Sequence, residues 1–232
     1  MNPPAEIHAD CWARHNIWAN AASVRELYAA RARDEADEMT CAGQAAELLA
    51  PLAAPGESLI DAGCGSGWFF HSLRRRGIGL AYHGFDATEI FVEIGRRELA
   101  PFGLPPDRLH CLRIEDFRGA ADHVVCMNVL SNIDNFHRPL ERLLAAARRT
   151  LVLRESVKDG AAYNWVRDDF LDPGVDLRVH VNAYDRAEIR GFVESRGFKL
   201  REITDRRTAG HPEYVIGYPH WWTFFVAERI GA

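Results

Sequence analysis

The 232-residue chain predicts an α/β fold in which a mostly parallel sheet of seven strands is closed by a C-terminal antiparallel hairpin, with helices on both faces. Three observations carry that expectation. From residue 56 to 154, short β-type runs alternate with helical patterns, and strands separated by helices of about 10 to 15 residues imply right-handed βαβ crossovers. The first run, "SLIDAGCGSG", passes directly into three alternate glycines and then a helix. After Gly197, two β runs follow one another with no helix between them, and such strands pair antiparallel.

The elements follow in order. Residues 1–55 read as an N-terminal helical cap or lid, with Val24, Leu27 and Tyr28 on one face and the pattern broken at Pro51. Residues 56–232 form the main domain, with 155–183 as an insertion on the substrate side. In that domain "ESLIDAG" is the first strand, and "GWFFHSLRRRG" a helix stopped by Gly77. "LAYHGFDA" is the second strand, followed by a helix that Thr88 is placed to cap. "RLHCLRIEDF", "DHVVCMNVL" and "RTLVLRES" supply the third to fifth strands, with Pro139 in the first turn of the helix before the fifth. Residues 156–182 have weak periodicity and many aromatics. Asp185 and Glu188 form a capping box for a last helix that Gly197 ends.

Composition narrows the function classes. At 47% hydrophobic and 26% charged residues the chain is ordinary globular protein. Net charge is −5, and lysine supplies only Lys158 and Lys199 of the 28 basic residues. Such a surface is not built to neutralise a phosphate backbone, so nucleic acid is not the expected partner. No apolar run approaches the ~20 residues of a membrane span, and the first residues lack the basic and apolar regions of a signal peptide. Five cysteines at irregular spacing, with no CxxC pair, read as reduced thiols and predict a cytoplasmic protein.

The glycine loop discriminates between ligands. A dinucleotide fingerprint from Gly63 and Gly65 would need a third glycine where the chain has Trp68. A phosphate loop would need a lysine, and none is near. What remains is a nucleoside ligand without a pyrophosphate, lying on loop backbone near a helix N-terminus. Asp61, at the end of the first strand, suits an ammonium group and would repel a phosphate.

These residues resemble the first motif of the class I S-adenosylmethionine-dependent methyltransferases. Its D-x-G-x-G-x-G is matched by Asp61, Gly63, Gly65 and Gly67, and the resemblance extends over about Leu48 to Arg154. It implies a Rossmann-like sheet and S-adenosylmethionine as cofactor, with S-adenosylhomocysteine as product. Asp86, 19 residues past Gly67, falls where the family holds both ribose hydroxyls with an acid. Glu115 or Asp116 falls where the family's acid takes the adenine amino group. Ala87 or Thr88, together with Phe117, would flank the ring. "VVCMNVLSNIDN" resembles the fourth-strand motif, which brings Asn128 to the methionine half and the transferring methyl. One departure stands out: where many relatives carry a histidine after this strand, the chain has Asn132.

The resemblance leaves the acceptor to the remaining residues. His137 and His180 are the candidate bases for a hydroxyl acceptor. Trp12, Trp18, Tyr28, Tyr163 and Trp165 are the candidate acceptor contacts, since aromatics over a strand edge suit a flat apolar or cationic molecule. They equally suit plain packing of a lid. Asp168 and Asp169 near His180 suggest a metal, but adjacent residues of a strand point apart, so none is expected. "PHWW" at 219–222 reads as core and hairpin. The expected activity is methyl transfer to oxygen or nitrogen of a small molecule. The alternatives are an RNA or protein methyltransferase, or a relative that binds the cofactor without methylating.

Overall fold

The computed structural model describes residues 16–231. Alternation along the strands decides where each side chain goes, because successive strand residues face opposite sides of a sheet. In β1 (Ser58–Ala62), Ile60 and Ala62 face one core and Leu59 the other. The same split recurs in β4 (Ala121–Met127) and β5 (Ala147–Lys158), where Val124 and Leu151 oppose Val125 and Val152. Both faces are apolar, so both are covered, as a parallel sheet requires.

With β2 (Ala81–Asp86), β3 (Leu109–Cys111), β9 (Phe198–Thr204) and β12 (Trp222–Arg229), the sheet runs β3-β2-β1-β4-β5-β12-β9. The first five strands are parallel, and β12 lies antiparallel to both β5 and β9. This is the predicted architecture. A two-residue strand, β8 (Tyr184–Asp185), adds to the far end of β5. Among the described residues no helix is long and apolar enough to cross a membrane.

Helices α1 (Ala22–Ala32), α2 (Thr40–Leu49), α3 (Phe69–Arg75) and α4 (Glu89–Glu98) lie on one face. Phe91, Val92 and Gly95 form the buried stripe of α4, at the spacing that brings helix residues onto one side. Helices α5 (His137–Ala146) and α6 (Arg186–Ser195) cover the other face through Leu140, Leu143, Ile189 and Val193. The Asp185 carboxylate accepts from the Glu188 amide at 2.9 Å and caps α6 as the sequence predicts.

Four expectations need correction. Thr88 stands at the α4 N-cap but its side chain does not cap, because Oγ1 instead accepts from Asn16 Nδ2 at 3.0 Å. The third strand ends at Cys111, and Glu115 and Asp116 lie in a 3-10 turn. The loop between β9 and β12 holds a hairpin of its own, β10 (Glu213–Val215) and β11 (Tyr218–His220). Residues 156–182 extend β5 and then form a second hairpin, β6 (Trp165–Arg167) with β7 (Arg178–His180). In the N-terminal region, α2 packs into the sheet layer through Ala42, Ala45 and Leu49. By contrast, α1 reaches the strand ends, tied to the β6–β7 segment by Arg25 and Asp172 at 3.1 Å.

The second half of strand β5 carries two charges, Arg154 and Glu155, that alternation sends to opposite faces. Arg154 is 2% exposed and donates to Asp205, which is 0% exposed, at 2.7 Å. Burial pushes the Asp205 carboxyl up, but Arg154 and the Thr208 donors outweigh it and hold it below the usual range. A depressed folded-state pKa contributes stability above the unfolded value and loses it as pH falls through the folded value. Breaking such a pair strands a buried charge at a cost of about 3–5 kcal/mol. We expect Asp205→Asn to lower the urea-unfolding free energy by that amount at neutral pH. The gap to the native protein should close as the pH falls below the usual carboxylate range, where the native Asp205 is itself protonated.

Candidate active site

A cavity of about 550 Å³ opens at the carboxyl ends of the strands. That is where an open α/β sheet binds ligands, because the loops leaving those ends carry free backbone groups and helix N-termini.

Asp86, half-buried at the end of β2, organises the cavity's base. Its Oδ2 accepts from the Gly65 amide and its Oδ1 from the Thr88 amide, both at 2.8 Å. Burial raises its pKa, and the two amides oppose the rise. A carboxylate has about four acceptor positions, so two remain to face the cavity. Asp61, 3% exposed at the end of β1, accepts from the Tyr82 hydroxyl at 2.7 Å. Burial pushes Asp61 up to about 7; the Tyr82 hydrogen bond opposes this and the Asp86 charge adds to it.

The three glycines divide. All have positive φ, which a side chain disfavours. Gly63 and Gly65 line the cavity. A Cβ on Gly63 would strike Val129, and one on Gly65 would strike the ring of Tyr28. Gly67 is different: its Cβ would lie 2.9 Å from Leu99, in the core under α4. The expectation that all three meet a ligand is therefore corrected, since the loop has turned inward by residue 67.

The wall from α1 is aromatic. Tyr28 stacks on Phe91 with centroids 4.2 Å apart, and burial pushes its phenol up to about 12. Trp18 lines the same cavity, whereas Trp12 lies outside the described residues. Arg31 was not anticipated. Its guanidinium sits 5.4 Å from the ring centroids of both Tyr28 and Trp68, and among the described residues no carboxylate pairs with it. The sequence signal was its position in α1 three residues after Tyr28, on the same helix face.

On the other side of the cavity Ala87, Leu112, Arg113, Ile114 and Glu115 follow one another. Asp116 does not join them: its side chain is 52% exposed, with Arg113 at 3.9 Å. Phe117 also lies elsewhere, stacked on Phe85 at 4.7 Å against the α5 face. Of the two acids that the sequence left open, only Glu115 reaches the cavity, because the 3-10 turn sends consecutive side chains to different sides.

The exit of β4 is held rigidly. Asn128 has φ 61° and lines the cavity, and its side-chain oxygen accepts from Arg154. Glu155, fully buried, accepts from the amides of Val129, Leu130 and Ser131 at 2.8, 2.7 and 3.0 Å. Burial raises its pKa and those amides lower it. Sequence reading missed both residues. The available signal was a pair of charges in a strand that both cores require to be apolar.

The candidate bases separate. His180 lines the cavity with its ring 4.3 Å from that of Trp165, and burial lowers its pKa while Asp134 opposes. His137 is half-exposed on the first turn of α5, stacked on Phe136, with Nε2 3.1 Å from Glu188. It does not line the cavity, so it is withdrawn as a base. Trp165 reaches the cavity, whereas Tyr163 is 55% exposed and packs edge-on against Tyr184 outside it. His220 and Trp222, which were read as core, line the cavity.

Comparison with known proteins bears on the family and the fold. Ubiquinone biosynthesis O-methyltransferases of two Neisseria meningitidis strains are 30% identical over 82 residues. The chain matches about a third of their length, with 34% of each sequence covered. The magnesium protoporphyrin IX methyltransferase of Synechocystis PCC 6803, solved with bound S-adenosylmethionine, shares the fold. Its TM-score is 0.61 at 17% identity, over 99% of both chains. An S-adenosylmethionine-dependent methyltransferase of Clostridium acetobutylicum gives 0.62 at 13% identity, over 89% of this chain and 97% of that one. The CcbJ methyltransferase of Streptomyces caelestis gives 0.61 at 14% identity, over 94% and 99%. A methyltransferase-domain family model matches residues 33–203, most of the sheet and its helices, and the chain belongs to that family, the class I S-adenosylmethionine-dependent methyltransferases.

Proposed function

We propose that the protein transfers a methyl group from S-adenosylmethionine to an oxygen or nitrogen atom of a small molecule. The observation that carries this is one continuous cavity whose lining is of two kinds. Asp86, Gly63, Gly65 and Glu115 offer polar groups and loop backbone; Met39, Trp68, Val215 and Trp222 offer large apolar side chains. The small-molecule acceptors named for similar proteins, ubiquinone precursors and a porphyrin, support the reading.

The residues fit the cofactor. A volume of about 550 Å³ lies within the range of small-molecule sites, about 300–1,000 Å³. Asp86 has the two free acceptor positions that vicinal ribose hydroxyls need. Glu115 can accept from the adenine amino group, with Ala87 and Leu112 against the ring. The ionised Asp61 suits the ammonium of the amino-acid end. Arg31 suits its carboxylate, since among the described residues no carboxylate pairs with it.

Bound there, the cofactor supplies an electrophilic methyl on a sulfonium that is already an activated leaving group. The protein's own share is positional. It must aim the acceptor in line with the methyl and keep water out, effects worth up to about 7–11 kcal/mol for well-oriented reactants. Trp18, just before α1, Tyr28 in α1, and Trp165 and His180 of the β6–β7 hairpin line the cavity and are placed to do so.

Asp86→Ala tests the ribose contact. Two charge-assisted hydrogen bonds at about 1.5–3 kcal/mol each predict at least a tenfold loss of S-adenosylhomocysteine affinity by calorimetry. The circular dichroism spectrum should stay native.

The acid beside the ammonium gives a pH prediction. With its pKa near 7, Asp61 must shed a proton to pair with a cation. S-adenosylhomocysteine affinity should therefore rise with pH up to about 7 and fall by up to tenfold for each unit below it. Asp61→Asn should bind more weakly with a flat profile over pH 5 to 7.

A further inference from the structure

His220 ends β11 and is 2% exposed, yet its ring lines the cavity. Its Nδ1 is sealed from solvent and, among the described residues, has no hydrogen-bond partner. The ring stacks on Trp222 with centroids 4.6 Å apart and planes 4° from parallel. The Arg154 guanidinium lies 4.5 Å from the Trp222 centroid and donates to the Asn128 side chain. A chain of contacts thus runs from the exit of β4 to His220. Its links are pinned: Arg154 by Asp205 at 2.7 Å, and Trp222 by donation from its indole N–H to Glu213 at 2.9 Å. Packing alone does not account for an imidazole here. A buried unpaired nitrogen costs free energy that phenylalanine or leucine would not incur.

We propose that His220 receives the acceptor's hydroxyl proton, and that the acceptor is a phenol whose ring lies among the aromatic side chains lining the cavity. This rests on the methyl-transfer reading of the same cavity. A flat ring suits a cavity lined by Trp68, Trp165 and Trp222, since one rigid aromatic packs well against another. A hydroxyl suits a histidine better than an ammonium does. A cationic acceptor would need a free carboxylate, and the one paired across the hairpin from His220, Glu213, is engaged with Trp222 and Arg207.

Burial and the Arg154 charge push the imidazole down to about 4, so at neutral pH the ring is uncharged and can take a proton. In the step, the phenol O–H bond breaks and its proton passes to the imidazole. The oxygen lone pair forms the O–CH3 bond, and the breaking C–S bond returns its electrons to sulfur. Methyl transfer removes the positive charge of the sulfonium as the imidazolium forms, and the Arg154 charge beside the ring then favours release of the proton. The proton then leaves to solvent as product departs.

The test uses the full chain saturated with S-adenosylhomocysteine. Three phenols (p-cresol, 4-methylcatechol and 2-naphthol) and their fully methylated ethers are titrated while the histidine ring resonances are followed by NMR. The His220 signal is assigned by its loss in His220→Gln. At least one phenol should shift that resonance and bind about tenfold or more tightly than its ether, the discrimination expected when a site is built to pair a hydroxyl. In His220→Gln and His220→Asn that preference should shrink to within about threefold, with S-adenosylhomocysteine affinity retained. The proposal is overturned if phenols and ethers bind the native protein alike, if the preference survives in the variants, or if no phenol binds. Should a variant fail to fold, the native comparison still decides. Failure of S-adenosylhomocysteine to bind the native protein is a different result, and contradicts the cofactor reading itself.

Discussion

The pleat of β5 sends Arg154 to one face of the sheet and Glu155 to the other, and the exit of β4 is gripped between them. Glu155 gathers three successive amides from below, while Arg154 holds the Asn128 side chain and stacks on Trp222. Neither charge is solvated. Each is stable only because its hydrogen bonds are nearly complete, since a buried charge without partners is far costlier than the same volume of hydrocarbon. The consequence is a strand tip that cannot drift. Asn128 keeps a positive φ of 61° that an unsupported asparagine would adopt only part of the time. In the proposed reaction this is where donor and acceptor meet, and where an error of an ångström would matter most.

The rest of the site extends from that fixed tip in two directions. Towards β1 and β2, carboxylates do the organising: Asp86 ties the glycine loop to the start of α4, and Asp61 sits beneath it on Tyr82. Towards β12, aromatic stacking replaces carboxylates, with His220, Trp222 and Arg154 layered on one another. The division matches the chemistry of the two proposed ligands. One is polar and carries hydroxyls, an ammonium and a carboxylate; the other is flat and largely apolar.

The sheet was legible in the sequence because its signals are local. Strand-length apolar runs, helix spacings and glycine stops each occupy a few consecutive residues, and the D-x-G-x-G-x-G run fixes where the first crossover begins. Asp61, Gly63, Gly65, Asp86 and Asn128 could be placed at one cavity for the same reason. What local reading could not resolve was which side of a turn a residue takes. Glu115 and Asp116 are neighbours in sequence, but the 3-10 turn sends one into the cavity and the other towards solvent. Gly67 continues a regular spacing and still faces the core, because the loop turns inward just before α3 and its Cβ position meets Leu99 and Leu109. His220 and Arg31 depend on contacts between distant segments. "PHWW" carries the composition of a core hairpin, and only the antiparallel return of β12 along β5 brings it beside the strand-four exit.

The central claim is that one cavity holds a nucleoside on Asp86 and opens at Asn128 towards the His220 and Trp222 wall. A crystal structure of the S-adenosylhomocysteine complex tests it most directly. The account predicts both ribose hydroxyls within hydrogen-bonding distance of Asp86 and the amino-acid end between Asp61 and Arg31. The sulfur should face the space in front of His220. A nucleoside bound away from the Gly63–Gly65 backbone, or one whose sulfur points away from that wall, would contradict it.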